Sequence, residues 1–443
     1  MESIDLLIDA RWVIPVEPDS RVLENHALAI NGGRIVALLP SAEARSRFLP
    51  RERTERSTHV LVPGFVNAHT HGSMSLLRGV ADDLPFEAWF GKRIWPLEQR
   101  WVSADFVRDG SELAYAEMLL SGTTCFADWY FFPEESARVA ADMRVRACIG
   151  APIADAPAPW ARGADEYISQ ALALHDAWRD HPLISTALGP HSPYLVGDAT
   201  FERIRTYADQ LDAMLMIHLH ETEAEIAQSL SVHGVRPIER LRRLGLLSPR
   251  LIAVHFVQAA APDIQTAAET ALSVIHCPES NLKLGNGIAP VAAMLNARLN
   301  VAMGTDGAAS NNDLDLLGET RTAALLAKGI TRDPTVLDAG TALRMATLNG
   351  ARALGLDAVT GSLLPGKWAD LCCVDLDAPA TLPVYSPLSQ LVYAASRDQV
   401  SDVWVAGKHL VGGGKLTRVD PDRLRHHAAR WSERIAGLLE RAA

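Results

Sequence analysis

The 443-residue sequence predicts an α/β fold: a (β/α)8 barrel of the TIM type, with a small β-sandwich built from both chain ends. Two observations carry this. Eight short apolar runs alternate with longer helical patterns through the middle of the chain, which is the rhythm of such a barrel. Similar strand-like, glycine-punctuated stretches lie at both ends and flank that middle.

Taken in order, residues 1–60 hold the alternating patterns "DLLIDARWVIP" and "ALAINGGRIVAL", the second with a hairpin signal at Gly32 and Gly33. The barrel is expected over 61–357. Its strands are read as "HVLVPGFV", "TTCFAD", "VRACIGAPI", "LISTALGP", "MLMIHL", "RLIAVHFV", "LSVIHC" and "LNVAMGTD". Helical segments such as "DFVRDGSELAYAEMLLSG" and "ATFERIRTYADQLDA" separate them. A doubly wound open sheet shows the same alternation and is the competing architecture. Residues 358–418, with "GSLLPGKWADLCCVDL" and "VSDVWVAGKHLVGGGK", return to sandwich material, and 419–443 read as a final amphipathic helix.

Composition narrows the function classes. Hydrophobic residues make up 48% and charged residues 21%, which suits a globular protein with a large core. The net charge of −11 speaks against nucleic acid or an anionic membrane as partner, either of which asks for a basic surface. The opening "MESIDLLIDARWVIPVE" has neither the charge pattern nor the apolar length of a signal peptide or membrane span. The five cysteines Cys125, Cys148, Cys277, Cys372 and Cys373 are odd in number and lie in apolar surroundings, which suits reduced thiols. The expected location is cytoplasmic.

The chemistry sits at the ends of the apolar runs. In "VPGFVNAHTHGSMSLLRG", His69 and His71 are two residues apart and so project from one face of a strand end. His191 comes after the fourth run, His218 after the fifth, His255 within the sixth, His276 after the seventh, and Asp306 after the eighth. Barrel active sites form at the C-terminal ends of strands, where these residues would converge. Three imidazoles and a carboxylate suit a divalent metal such as zinc, with a position left for water. Glu221, three residues after His218 in "HLHET", is placed to move protons beside that metal. Glu223 and Glu225 read as helix-start glutamates.

Seven stretches, "PGFVNAHTH", "LLRGVADDLPFEAW", "GPHSPY", "HLHET", "SNLKLGNGIAP", "GTDGAASNN" and "GSLLPGKWADL", run in order through nearly the whole chain. On these motifs the chain resembles the amidohydrolase superfamily in its mononuclear aminohydrolase branch, nearest to 5′-methylthioadenosine/S-adenosylhomocysteine deaminases. The resemblance implies one metal ion, zinc with ferrous iron as the alternative, held by His69, His71, His218 and Asp306. No lysine occurs between Lys92 and Lys283, so the bridging lysine of binuclear relatives is missing. His255 would help activate the water, Asp306 would take its proton, and Glu221 would protonate the purine. His191 would contact the purine ring, Glu98 the ribose hydroxyls, and Trp89 the wall of the same pocket.

The implied reaction is hydrolytic deamination of an adenosine derivative, with a small nucleoside as partner. The same machinery acting on another ring, a triazine or guanine, is the alternative, and a barrel that binds without catalysis is a third. Many relatives are homo-oligomers. Arg146 and Arg162 are the candidates for meeting a substrate carboxylate, and His220 has no assigned role. The segment from Ser73 to Gln99 is expected to cover the pocket.

Overall fold

A computed structural model describes residues 1–442, with side chains described through residue 436. The alternating patterns of the N-terminal segment form β1 (Glu2–Val13), β2 (Leu23–Asn31), β3 (Arg34–Pro40) and β4 (Phe48–Pro63). Gly32 and Gly33, at φ 59° and 75°, turn β2 into its antiparallel partner β3. A left-handed turn of this kind is what glycine accommodates without a Cβ penalty.

The eight barrel strands follow: β5 (Phe65–Thr70), β6 (Thr123–Trp129), β7 (Arg146–Ile153), β8 (Ile184–Pro190), β9 (Met214–Leu219), β10 (Leu251–His255), β11 (Ser273–His276) and β12 (Asn300–Met303). Each pairs in parallel with the next, in sequence order. A doubly wound sheet would break that order. The last strand meets the first: Asp306 N–H donates to His69 O at 3.1 Å, and Asn67 exchanges hydrogen bonds with Thr305 at 2.8 and 3.1 Å. Side chains alternate across each strand, so Val66, Cys125, Ala127, Met216, Ile252 and Val254 fill the barrel. Phe126, Ile149, Ile217 and Val274 point the other way and join the larger cluster with Phe201 and Ile204.

The first apolar run differs from its sequence reading. "HVLVPGFV" is two strands, because β4 extends to Pro63 within the terminal sheet and β5 begins at Phe65. The break falls at Gly64, where a Cβ would lie 2.1 Å from the Thr124 side chain. The chain therefore changes sheets at the only residue type that fits against β6.

After the barrel, β13 (Leu371–Asp375), β14 (Val400–Val405), β15 (Lys408–Gly412) and β16 (Lys415–Leu416) complete the terminal sheet, in the order β16-β15-β14-β13-β4-β1-β2-β3. The sheet folds over on itself: Ile35 N–H donates to Lys367 O at 2.9 Å, and Ala369 N–H to Gly33 O at 2.9 Å. Ile8, Leu28, Ile35, Leu371 and Trp404 are enclosed within it. The Pro421–Ala442 helix docks on the Ala104–Leu120 helix. There Trp431 Nε1 donates to Asp109 at 2.8 Å, and Arg430 and Arg423 pair with Asp109 and Glu112. Among the described residues no helix is long and apolar enough to cross a membrane. All five cysteines are free and buried.

Candidate active site

The barrel mouth gathers the strand-end residues into one cluster. The ligating atoms of His69, His71 and Asp306 lie within 4.8 Å of one another, as do those of His69, His218 and His255. Asp306 Oδ1 stands 3.4 Å from Nε2 of both His69 and His71. His255 and Asp306 take left-handed backbone conformations, at φ 73° and 62°. For residues of these types that costs about 1–3 kcal/mol each, held in place by the surrounding strands.

Three of the rings are fixed by a hydrogen bond through Nδ1: His71 to the Trp129 carbonyl, His218 to the His191 carbonyl at 2.9 Å, and His255 to Asn281 Oδ1 at 3.1 Å. Donation from Nδ1 leaves each Nε2 as a bare acceptor, the form a metal ligand takes. His69 Nε2 is buried and has no hydrogen-bond partner. Burial holds His69 down at about 4 and His218 well below its ordinary value, so these two imidazoles are neutral. Burial alone would raise Asp306, but His69, His71 and His255 around it hold it well below the usual carboxylate range. Ser280 and Ser310 hydroxyls both donate to its Oδ2 at 2.7 Å, and the Gly307 amide to Oδ1 at 2.8 Å. Neutral imidazoles with an ionised carboxylate and an orphaned nitrogen fit a divalent cation.

Glu221 is buried beside this cluster, 3.9 Å from His255 Nε2, with Asn286 Nδ2 donating to it at 3.0 Å. Burial, with Asp306 adding to it and Asn286 opposing, pushes its carboxyl up to about 8. Its backbone is held by Glu225, whose carboxylate takes the amides of His220 at 3.0 Å and Glu221 at 2.8 Å. Glu225 is therefore more than the helix-start residue its sequence position suggests. It clamps the loop that carries Glu221.

A cavity of about 300 Å³ opens above the cluster. His71, His218, Glu221, His255 and Asp306 line one part of it, and Glu98, Trp89 and His191 also line it. His69 lies beneath, almost fully buried. The Ser73–Gln99 segment supplies Met74, Phe86, Trp89, Phe90, Ile94 and Glu98 to the wall. Glu98 is buried on the Trp95–Trp101 helix and accepts a hydrogen bond from Tyr130 Oη at 2.6 Å. Burial pushes its carboxyl up to about 7 against the lowering effect of Tyr130. Trp89 Nε1 donates to Ala309 O at 3.3 Å, tying the covering segment to the turn after β12.

Three residues read from the sequence as near this site, His276, Arg146 and Arg162, stand elsewhere, as does His220, which had no assigned role. His276 ends β11 but does not line the cavity. His220 is buried, accepting the Ile238 amide at 3.1 Å and stacking on Phe256. Arg146 begins β7, at the end of the strand opposite the mouth, and is buried against Asp370 at 2.7 Å, joining the barrel to the segment entering β13. Arg162 is 93% exposed and pairs with Glu166 within its own turn. Neither arginine lines the cavity.

Trp129 and Tyr130 were not singled out by the sequence reading, although they stand at and just beyond the C-terminal end of β6, where site residues are to be expected. The Trp129 indole stacks on His218, with ring centroids 4.4 Å apart and planes 14° from parallel, while its carbonyl holds His71. A Cβ at Gly189 would lie 2.2 Å from its Nε1, so the neighbouring strand leaves room for the ring.

The amidohydrolase family model matches residues 60–410. This chain belongs to the amidohydrolase family. It is 47% identical to a 5-methylthioadenosine/S-adenosylhomocysteine deaminase of Teredinibacter turnerae, over 98% of each chain. It is 44% identical to one of Saccharophagus degradans, over 97% of each. Among solved structures, an adenosine deaminase from Xanthomonas campestris with bound zinc matches with a TM-score of 0.97 and 53% identity, over 98% of this chain and 99% of that one. A triazine hydrolase variant matches with a TM-score of 0.90 and 25% identity, over 96% and 99%. The strand order of this amidohydrolase accords with those likenesses, and its buried histidine and carboxylate cluster lies within the matched residues.

Proposed function

We propose that this amidohydrolase is a zinc-dependent aminohydrolase that converts adenosine derivatives, among them 5′-methylthioadenosine, S-adenosylhomocysteine and adenosine, to the inosine form and ammonia. The observation that carries this is a single cavity containing both a buried proton donor beside the ligand set, Glu221, and a buried carboxylate suited to hydroxyls, Glu98. His69, His71, His218 and Asp306 would hold one divalent ion, zinc or ferrous iron. When bound, the ion supplies Lewis acidity that brings a water pKa near 7.

The chain's own groups do the rest. Asp306, fixed by Ser280 and Ser310 and kept ionised by its histidine neighbours, takes the proton of the attacking water. His255, oriented by Asn281, hydrogen-bonds that water on the side facing Glu221. Glu221, protonated at neutral pH, delivers its proton to the ring nitrogen next to the attacked carbon; the proton taken up by Asp306 then passes to the amino group, which leaves as ammonia, and Glu221 recovers a proton from the new hydroxyl as the ring carbonyl forms. His191 contacts the ring. Glu98 accepts from the ribose hydroxyls, and Trp89 with the covering segment excludes water.

The likeness to a triazine hydrolase favours a second reading, the same machinery on another ring. Ribose gives Glu98 two vicinal hydroxyls to accept from, whereas a chlorotriazine carries no hydroxyls. The test is ammonia release by the zinc-loaded protein from methylthioadenosine, adenosylhomocysteine, adenosine, guanine and a chlorotriazine. Turnover of the adenosine derivatives is the expected result. Turnover of the triazine or guanine alone would overturn the reading in favour of the second.

A further inference from the structure

The ionisable side chains lining the cavity are acids, histidines and tyrosines. Its acidic members are Glu98, Glu221 and Asp306, and among the described residues no lysine or arginine lines it. The cations near its rim in sequence are engaged or outside the lining. Lys283, next to the lining Leu284, bonds Asp82 at 2.6 Å and also Asn312, and Arg162 is tied to Glu166. Lys92 and Arg93, which follow the lining Gly91, are exposed residues of the covering segment. Away from the metal cluster the wall is aromatic and aliphatic, with Phe86, Phe90, Trp95, Phe131 and Leu195.

The candidate substrates differ at the 5′ position. Methylthioadenosine carries an uncharged thioether there, and adenosylhomocysteine carries an α-amino acid. A carboxylate at the 5′ end of the substrate loses water against this aromatic and aliphatic wall and finds no lysine or arginine to pair with, and an unpaired buried charge is costly. The ammonium of the same tail has Glu98, the acid on the ribose side of the cavity, to pair with.

Resting on the deaminase reading above, we propose that the cavity selects 5′ substituents that carry no carboxylate, so that the uncharged thioether is the preferred substrate and the zwitterionic amino acid a poor one. The discrimination lies in binding the substrate and not in the chemical step, because the carboxylate is remote from the reacting carbon.

The test compares kcat/KM of the zinc-loaded protein for methylthioadenosine, adenosylhomocysteine and decarboxylated adenosylhomocysteine, which keeps the chain length and the ammonium but lacks the carboxylate. The expected result is about a tenfold to hundredfold advantage of methylthioadenosine over adenosylhomocysteine, carried by KM. The decarboxylated compound should return to within about threefold of methylthioadenosine. Equal values for the first two overturn the proposal while leaving the deaminase reading intact. A decarboxylated compound as poor as adenosylhomocysteine also overturns it, since tail length and not charge would then be the cause. Turnover of none of the three overturns this proposal, and silence on adenosine as well overturns the deaminase reading itself.

Discussion

Gly189→Ala tests whether the ligand set is held by its aromatic wall. The added Cβ would lie 2.2 Å from Trp129 Nε1, 2.6 Å from its Cε2 and 2.9 Å from the Ala151 carbonyl. Real Cβ atoms do not approach this closely, and the backbone on one side cannot yield, so the indole must move. That ring is stacked on His218, and its own carbonyl fixes His71. Overpacking of this size costs about 1–3 kcal/mol. Displacing a group that orients metal ligands lowers metal affinity by about tenfold to a hundredfold. At Gly150 the corresponding contacts with Trp129 are 3.1 Å, so Gly150→Ala should show a smaller effect of the same kind. The assays are denaturant unfolding of the metal-free protein and zinc affinity by chelator competition, neither of which depends on turnover. If the strain acts through the indole, adding Trp129→Ala to Gly189→Ala should bring no further loss beyond Trp129→Ala alone. A Gly189→Ala protein with wild-type stability and zinc affinity would refute the argument.

Three further perturbations probe other parts of the site and fold. Glu221→Gln should abolish turnover, by at least about a hundredfold in kcat, while metal content per chain stays unchanged; loss of the metal would instead make Glu221 a ligand. Tyr130→Phe removes a hydrogen bond to a buried carboxylate and should raise KM for ribonucleosides by about tenfold to a hundredfold, with no such effect on a 2′,3′-dideoxy substrate. Because Tyr130 lowers a Glu98 carboxyl that burial pushes up to about 7, the pH below which ribonucleoside KM rises should move upward in that variant. The Asp402 carboxylate is buried in the terminal sheet, bonded by Arg56 at 2.6 and 2.7 Å and by His409 at 3.0 Å, and these partners overcome the burial that would raise it and hold it well below its ordinary 3.8. A depressed carboxylate stabilises the fold above its unfolded pKa and loses that contribution as pH falls through the folded value. Asp402→Asn should therefore lower stability at pH 7 by about 1–3 kcal/mol, with the gap to wild type closing as pH falls below 3.8 in acid-denaturation curves.

Much of this was legible in the chain because the signals are local. Every apolar run read as a barrel strand contains one, since buried parallel strands need continuous β-branched and aliphatic residues. The nine residues named for the site stand in or directly beneath one cavity, because the barrel turns strand ends that are far apart in sequence into neighbours. What escaped depends on long-range contact. The break at Gly64 is set by Thr124 some sixty positions away. Trp129 and Tyr130 look like core aromatics until His218 and Glu98 are placed beside them. Arg146 looked available for a substrate carboxylate, yet it stands second in its apolar run and first in β7, and so falls at the closed end of the barrel, where Asp370 waits. Position within the run was the usable signal there. No local pattern could have marked Glu225 as the clamp on the Glu221 loop, since its two bonds are to backbone amides.

As a deaminase, this amidohydrolase replaces the amino group of an adenosine ring with oxygen taken from water. The most direct measurement is turnover of methylthioadenosine in oxygen-18 water by the zinc-loaded protein, with mass spectrometry of the purine product and titration of ammonia. The expected result is one labelled oxygen on the purine ring and one ammonia for each substrate consumed. An unlabelled product, or consumption of substrate without stoichiometric ammonia, would contradict it.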